Sequence, residues 1–239
     1  MCTGVLESQR FRHSCSARHN VTGRNNDTQT CLSKNGAIPD SLVIYFHKGG
    51  GFTSIGEWIR ITLPLYRPDG SPWWYEHPRL GAAVDVVALN LHWGSDVTKI
   101  PYYLKSNLDR FNLIICPGET VSVIGFPFGL SSSLRFPIWA TGFLAQELDL
   151  VTPDNPVFLI DCRTRQGQSG SPVIAHRANG YICIENEKIV AKLNVPPAWE
   201  LLGLYTGRVN QDSDLGKVWH VSVLEELLTA STLDKPTSR

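Results

Sequence analysis

The feature of this sequence that most restricts its fold is a series of short runs of β-branched and aromatic residues, separated by Gly, Pro, Asn and Asp. Runs of this length and composition are typical of β-strands. Turn residues stand between them: in Pro68-Asp69-Gly70, proline presets φ and glycine permits the positive φ that some turns require. The pattern predicts an all-β protein of antiparallel hairpins. The runs are SLVIYFH, WIRITLPLY, AVDVVALNL, FNLIIC, TVSVIGF, PVFLIDC, SPVIAH, YICI and LLGLYTGRV.

The C-terminal segment has a different periodicity. Ser222 and Glu225 form a capping-box pattern, in which each side chain bonds to the other residue's backbone N–H at the start of a helix. Leu224, Leu227 and Leu228 then recur at helical spacing. We expect one C-terminal helix that packs back on the β-structure.

A chain of 239 residues is long enough for one large β domain or two small ones. The segment 91–110 is poorer in strand signals than its surroundings, so we expect it to connect two halves. We place the boundary at residue 108. This gives an N-terminal domain of residues 1–108 and a C-terminal domain of residues 109–239.

The charge composition argues against two classes of partner. Lys plus Arg and Asp plus Glu number 22 each, so no net charge attracts the chain to nucleic acid or to an anionic membrane. No apolar stretch has the length of a membrane span, and the first residues lack the pattern of a secretory signal. The expected location is the cytoplasm. The six scattered cysteines are expected to be reduced thiols.

Four potential zinc ligands stand near the N-terminus: Cys2, His13, Cys15 and His19. Zinc sites of the finger type use Cys-x-x-Cys or His-x-x-x-His pairs, and neither spacing occurs among these residues. We therefore predict no metal and no organic cofactor.

The clearest candidate for chemistry is Ser169, in Gly167-Gln168-Ser169-Gly170-Ser171-Pro172. Glycines on both sides permit a tight, exposed turn, and the amides of Gly167 and Ser169 are able to point together at a developing oxyanion. A simple surface turn is the alternative. The nucleophile elbow of α/β-hydrolases does not fit, because Ser171 stands where that motif has glycine and a strand pattern follows where it has a helix.

The motif resembles Gly-x-Ser-Gly-Gly/Ser-Pro of the trypsin-like (chymotrypsin-fold) serine peptidases, particularly bacterial-type members. Three further segments are similar to that family: HNVTGRN from His19, VDVVAL around Asp85, and VIGFPFG from Val123. The resemblance implies an all-β fold of two six-stranded-type antiparallel β-barrels with a C-terminal α-helix. The first barrel carries His and Asp, and the second carries Ser.

The resemblance also implies roles for these residues. Ser169 is the nucleophile, His19 the general base, and Asp85 the carboxylate that orients His19, while the amides of Gly167 and Ser169 form the oxyanion hole. Asp85 stands in an otherwise apolar run, where an ionised carboxylate needs a partner. Other histidines also precede Asp85, among them His13, His47 and His77, but the HNVTGRN run favours His19.

By the same resemblance, the substrate pocket lies beside the nucleophile, with Tyr205, Thr206 and Gly207 on a later strand. Arg163 precedes the nucleophile and, at the base of the pocket, would favour an acidic substrate side chain through bidentate pairing. Arg165 belongs to the same segment. The alternative is that both arginines face solvent, as loop residues commonly do.

Only eighteen residues precede His19, and those nearest to it are polar and basic where family members have an apolar strand. We therefore expect the first barrel to be less complete at its N-terminal edge. Two functions follow from the resemblance. One is a serine endopeptidase acting on peptide or protein substrates through a His-Asp-Ser triad and an acyl-enzyme. The other is a catalytically inactive chymotrypsin-fold binding domain, in which the N-terminus does not hold His19 in place.

Overall fold

The computed structural model describes residues 4–8, 11–49, 56–91, 112–210 and 212–231. The predicted domain boundary at residue 108 lies outside these residues. The N-terminal half contains β1 (Gly4–Ser8), β2 (Phe11–Ser16), α1 (Arg18–Thr22), β3 (Ser41–His47), β4 (Trp58–Pro64), β5 (Trp74–Tyr75) and β6 (Val87–Asn90). The C-terminal half contains β7 (Thr120–Gly125), β8 (Ile138–Leu144), β9 (Val157–Asp161), β10 (Ser171–Arg177), β11 (Tyr181–Glu185), β12 (Lys188–Lys192), β13 (Ala198–Arg208), β14 (Leu215–His220) and α2 (Val221–Ser231).

Six strands of the C-terminal half form a closed barrel in the order β10-β13-β14-β9-β8-β7, with every neighbouring pair antiparallel. Alternate residues of these strands point inward, which is the period of a strand with one buried face. Val121 and Val123 of β7 thus meet Phe158 and Ile160 of β9 in one buried cluster. The predicted all-β class and the six-stranded barrel are confirmed.

The N-terminal half is built differently. Among its described residues, β1-β2-β6-β5 form a four-stranded sheet, and β3 and β4 form a separate hairpin. The hairpin is paired in continuous register from Ser41 opposite Pro64 to His47 opposite Trp58. These two sheets are not joined into one closed barrel within the described residues. The N-terminal edge, where the sequence predicts an incomplete barrel, contains β1 and β2.

The segment before His19 is a strand, although its sequence did not predict one. β2 pairs with β6, placing Ser14 opposite Leu89 and Ser16 opposite Val87. Ser14 and Ser16 are buried, together with Cys15, which joins the main core cluster. The large apolar residues of this strand pair, Val87 and Leu89, lie on β6 instead. A search for alternating large apolar residues therefore misses this strand.

The predicted C-terminal helix is confirmed, and it begins at Val221, one residue before the predicted cap. The ring Nδ1 of His220 accepts the backbone N–H of Ser222 at 3.3 Å. α2 packs against β13, β14 and β6, and its Leu224 is fully buried. In the described part of the chain, no helix has the length and apolar character needed to cross a membrane.

Candidate active site

His19 lies on α1, a single helical turn directly after β2. Its backbone N–H donates to Asp85 Oδ1 at 2.9 Å, and its ring Nδ1 lies 2.7 Å from Asp85 Oδ2. The two carboxylate oxygens of Asp85 therefore hold both the backbone and the ring of one histidine. A ring nitrogen that donates to a carboxylate fixes the tautomer, so Nε2 is the acceptor of a neutral His19.

Asp85 stands in the bend that leads into β6, between two fully buried valines, Val84 and Val86. Its side chain is 13 % exposed and that of His19 is 17 % exposed. A carboxylate so poorly hydrated is stabilised by charge-assisted hydrogen bonds, and His19 supplies two donors. The apolar setting of Asp85 and its need for a partner are as the sequence predicted.

The other histidines that precede Asp85 have different partners. The His13 ring is buried and meets Tyr75 edge to face, and burial lowers the pKa of His13. His47 Nδ1 lies 2.9 Å from the Lys48 carbonyl oxygen. His77 Nδ1 accepts the backbone N–H of Leu80 at 3.2 Å. Of these four histidines, His19 is the one that the structure places against Asp85.

The loop that carries Ser169 has a glycine at positive φ on each side. φ is +93° at Gly167 and +89° at Gly170, a conformation that residues with a side chain rarely adopt. A Cβ at Gly170 would lie 3.1 Å from both Ala17 N and Ser16 Oγ. Gly170 thus allows the nucleophile loop to approach the backbone between β2 and α1.

Gln168 stabilises the same loop from inside. Its side chain is fully buried, and Oε1 accepts the backbone N–H of Arg165 at 2.7 Å. The backbone carbonyl of Gln168 accepts the N–H of Ser171 at 2.9 Å. These bonds close the turn on both sides of Ser169.

A side chain from the N-terminal half ties this loop to the histidine helix. Asn20 Nδ2 donates to the backbone carbonyl of Ser169 at 2.9 Å and lies 3.4 Å from Ser16 Oγ. Asn20 follows His19 on the one turn of α1, so His19 and Ser169 are linked through neighbouring residues. Sequence reasoning missed Asn20, since no spacing rule connects two positions 149 residues apart.

The hydroxyl of Ser169 donates to the backbone carbonyl of Thr206 at 3.0 Å. Among the hydrogen bonds of the described residues, none joins Ser169 Oγ to His19. The structure thus brings His19 and Asp85 into direct contact, and it links Ser169 to the helix of His19 through Asn20.

The two backbone amides predicted for the oxyanion hole lie at this turn. Within the residues that the structure describes, neither the N–H of Gly167 nor that of Ser169 donates to a protein group. The neighbouring amides of Gln168 and Gly170 donate to the carbonyls of Arg165 and Tyr205. Two amides kept out of internal bonding beside a serine hydroxyl are available to an oxygen of a ligand.

A cleft of about 840 Å³ contains His19 and Asp85 and extends along Thr206 and Gly207. Arg208 lies further along the same wall. Thr206 and Gly207 thus line the cleft that contains His19, and their role in substrate binding stays a prediction.

Two predicted pocket residues do not line this cleft. The Tyr205 side chain is buried, and its hydroxyl lies 2.6 Å from Thr164 Oγ1 inside the barrel. The Arg163 side chain is 86 % exposed and faces Asp214, with Nε 3.8 Å from Oδ2. Arg165 also faces Asp214, with Nη1 3.5 Å from Oδ1. The side chains of both arginines turn toward this surface carboxylate, which is the alternative considered for loop residues.

The residues weighed as zinc ligands are dispersed. Among the described residues, no group of three or more His, Cys, Asp or Glu side chains is placed to hold a metal ion, and Cys2 lies outside them. The five cysteines that the structure describes are free thiols. Burial raises the pKa of the Cys162 thiol to about 11, so this group stays protonated at neutral pH.

Neither a protein-family model nor a curated protein sequence matches this chain. Solved structures do. The scabies mite inactivated protease paralogue S-I1 is 13 % identical, with a TM-score of 0.51, over 98 % of this chain and 88 % of that one.

Two further similar structures are serine proteases. AL20, a thermostable serine protease from an extremophilic microorganism, is 12 % identical over 96 % of this chain and 89 % of its own, with a TM-score of 0.49. The serine endoprotease of Yersinia pestis is 17 % identical over 80 % of this chain and 54 % of its own, with a TM-score of 0.41. The closed barrel and the similarity to the mite paralogue give this chain a chymotrypsin-like fold.

Proposed function

We propose that this chain is a serine endopeptidase in which Ser169, His19 and Asp85 act as a catalytic triad. The observation that carries the proposal is the double contact of Asp85 with His19, through the ring Nδ1 at 2.7 Å and the backbone N–H at 2.9 Å. The contact with Nδ1 orients the ring, and the contact with the backbone N–H fixes the carboxylate beside it. A general base requires an oriented ring.

In the proposed reaction, Ser169 Oγ attacks the carbonyl carbon of a peptide bond while His19 Nε2 takes the hydroxyl proton. Asp85 keeps the other ring proton on Nδ1 and stabilises the imidazolium. The amides of Gly167 and Ser169 donate to the oxyanion. His19 then gives its proton to the leaving amine, and water hydrolyses the acyl-enzyme by the same steps. All of these groups belong to the chain itself.

The bond from Ser169 Oγ to the Thr206 carbonyl, at 3.0 Å, means that attack begins with a rotation of the Ser169 side chain toward His19. In unliganded sites, catalytic hydrogen bonds are often long or unformed and tighten when substrate binds. The rotation is about one single bond, so its cost is small compared with a chemical barrier.

The same hydrogen bond favours a second candidate function, a binding domain without catalysis. If Thr206 retains the Ser169 hydroxyl when a peptide enters the cleft, His19 has no proton to take. The chain would then bind a peptide without hydrolysing it.

A fluorophosphonate probe separates the two functions, because it forms a bond only with an activated serine. We expect labelling of the wild-type chain, loss of labelling in Ser169→Ala, and strong reduction in His19→Ala. Ser133→Ala, in an exposed loop, is the matched control and should label normally. An unlabelled wild-type chain that still binds peptides would reject the peptidase and support the binding domain.

A preference for acidic substrate side chains now depends on Arg208, which lines the cleft, since Arg163 faces Asp214 outside it. Lys217 lines the same cleft, with its Nζ 3.2 Å from Asp27 Oδ2. We propose that cleavage after Glu exceeds cleavage after Lys, and that Arg208→Ser removes the difference. Arg163→Ser is the control and should retain it. Equal cleavage of both peptides by the wild type would contradict this preference.

A further inference from the structure

A second pocket, of about 340 Å³, lies between the β3–β4 hairpin and the segment that follows β7. Val43 and Tyr45 line it from β3, and Trp58 lines it from β4. Phe126 and Gly129 close the other side. This volume is within the range of roughly 300–1,000 Å³ that is usual for ligand pockets. Its lining is mostly aliphatic and aromatic, so it suits an apolar side chain.

The pocket shares two of its residues with the surroundings of the nucleophile loop. A Cβ at Gly167 would lie 2.7 Å from the Phe126 carbonyl oxygen and 3.2 Å from Gly129 N. The backbone N–H of Phe128 also donates to the carbonyl of Gln166 at 2.6 Å. The pocket is therefore next to the oxyanion side of Ser169, whereas Thr206 and Gly207 lie along the larger cleft.

The segment that borders this pocket contains three non-glycine residues at positive φ: Phe128 (54°), Leu134 (59°) and Arg135 (64°). Such residues are sterically strained, and they persist where surrounding contacts hold them, commonly at ligand-binding positions. Here the contacts come from the facing hairpin. Trp58 Nε1 donates to the Leu134 carbonyl at 2.8 Å, and the Arg135 guanidinium lies over the Tyr45 ring at 5.1 Å.

We propose that this pocket binds a large apolar side chain of the substrate segment that leaves after acylation of Ser169. A peptide that crosses Ser169 has its two parts on opposite sides of the scissile carbonyl. The cleft along Thr206 and Gly207 serves the acyl part, and the pocket beside Gly167 serves the leaving part. This inference rests on the proposed peptidase activity and adds a preference for the residues after the scissile bond.

Binding to the pocket is measurable without catalysis. Phenylalaninamide is a small probe of the leaving part, and glycinamide is its matched control. We expect phenylalaninamide to shift the NMR signal of the Trp58 indole N–H, which is assigned by its disappearance in Trp58→Phe. Glycinamide should leave that signal in place. A Trp58 signal unmoved by phenylalaninamide would overturn the assignment of this pocket.

The preference for a large apolar residue after the scissile bond is measured with an acyl-enzyme formed from a small ester. The measurement compares how efficiently each amine captures the acyl group. The amine of the probe attacks the acyl carbonyl carbon, the ester bond to Ser169 Oγ breaks, and the Ser169 oxygen recovers a proton through His19. Water is the competing nucleophile. We expect phenylalaninamide to capture the acyl group at least about tenfold more efficiently than glycinamide, as hydrophobic pockets discriminate side chains of different size.

Two serines of the exposed loop provide the matched variants. Ser131 lines the pocket and Ser133 does not, and both are exposed, so neither substitution disturbs the core. Ser131→Phe should bring the capture ratio close to one, while Ser133→Phe should retain it. Ser133→Phe should also react normally with the fluorophosphonate probe.

The outcomes separate the two proposals. Normal fluorophosphonate labelling with an equal capture of both amides would reject the pocket and keep the peptidase. A chain that is not labelled but whose Trp58 signal responds to phenylalaninamide would reject the peptidase and keep an apolar binding site. A preference that Ser131→Phe leaves unchanged would place the leaving part elsewhere.

Discussion

The two halves of the molecule are held together by different means. In the C-terminal half, six strands form a closed barrel, so this sheet has no free edge. The barrel also has a hydrophobic core of its own. In the N-terminal half, Val84 and Val86, on either side of Asp85, belong to a buried cluster with Leu224 of α2 and Ile174 of the barrel. Ser169, the proposed nucleophile, is therefore next to a self-contained barrel, while Asp85 is fixed by the contact between the halves.

This difference assigns a role to the interface. His19 and Asp85 come from the less closed half, and their position relative to Ser169 depends on side chains that cross between the halves. Asn20 makes one such crossing to Ser169, and Arg79 makes another to Asp154 at 3.0 Å. We therefore expect catalysis to be more sensitive than barrel stability to changes at this interface.

The largest effect is expected when the N-terminal half loses its carboxylate. Asp85→Asn keeps the shape of the side chain but no longer favours the Nδ1–H tautomer of His19, and kcat for ester hydrolysis should fall by about 10⁴-fold. Asp40→Asn, at an exposed aspartate of the same half, is the control and should retain full activity. A decrease of less than tenfold in Asp85→Asn would mean that His19 is not the base.

The second prediction compares the two cores. Leu224→Ala removes a fully buried side chain from the cluster around Asp85, and Ile160→Ala removes one from inside the barrel. Each should lower the free energy of unfolding by about 2–5 kcal/mol. Hydrogen exchange should show loss of protection first around β6 in Leu224→Ala, but throughout the barrel in Ile160→Ala. Identical exchange patterns in the two variants would show that the halves unfold as one unit.

Much of the barrel was readable from the sequence because its strands obey simple rules. In Thr120–Gly125, Val121 and Val123 face the barrel core, and Val157–Asp161 has buried Phe158 and Ile160 on one face. Strong periodicity of this kind reports one buried face directly. The glycines around Ser169 were equally readable, since positive φ at Gly167 and Gly170 leaves a direct mark on the sequence.

The parts that escaped prediction depend on tertiary contacts. The strand Phe11–Ser16 has small polar residues whose burial is supported by β6. α1 is too short for a periodic pattern, and Asn20 acts through a single amide. The direction of the Arg163 side chain is set by Asp214, a residue from a different segment. Local sequence carries no signal for contacts of these kinds.

The third prediction concerns the hydrogen bond that crosses from α1 to the nucleophile loop. Asn20→Asp replaces the amide donor by a carboxylate that repels the Ser169 carbonyl, so the loop should move away from His19. We expect the rate of fluorophosphonate labelling to fall by about 10- to 100-fold, as small displacements of reacting groups are costly. Thr22→Val removes a side-chain hydrogen bond to the Arg18 carbonyl on the same helix and should have little effect on labelling.

A structural role for Asn20 and a positioning role are distinguished by the pH profile. If Asn20 only stabilises the fold, Asn20→Asp lowers the unfolding midpoint and leaves the labelling rate of the folded protein unchanged. If it positions the loop, the labelling rate of the folded protein falls across the whole pH profile. An unchanged rate together with an unchanged profile would reject the positioning role.

The smallest expected effect is at His77, where the turn between β5 and β6 meets α2. Its side chain is fully buried, and Nε2 lies 3.3 Å from Glu226 Oε2. Burial lowers the pKa of His77 below its usual 6.5, Glu226 opposes this effect, and Arg79 adds to it. Above pH 6.5, His77 is neutral in both the folded and the unfolded chain, and the free energy of unfolding does not depend on its titration.

As the pH falls below 6.5, the unfolded chain binds a proton at His77 that the folded chain does not, so the free energy of unfolding decreases until the lowered pKa is reached. Urea unfolding between about pH 5 and pH 8 measures this slope. The slope equals the number of protons that the chain binds on unfolding, and His77→Gln should reduce this number by at most one. Part of the slope that remains comes from His13, because burial lowers its pKa as well. An equal slope in the variant would show that protonation of His77 does not weaken the contact between α2 and the N-terminal half.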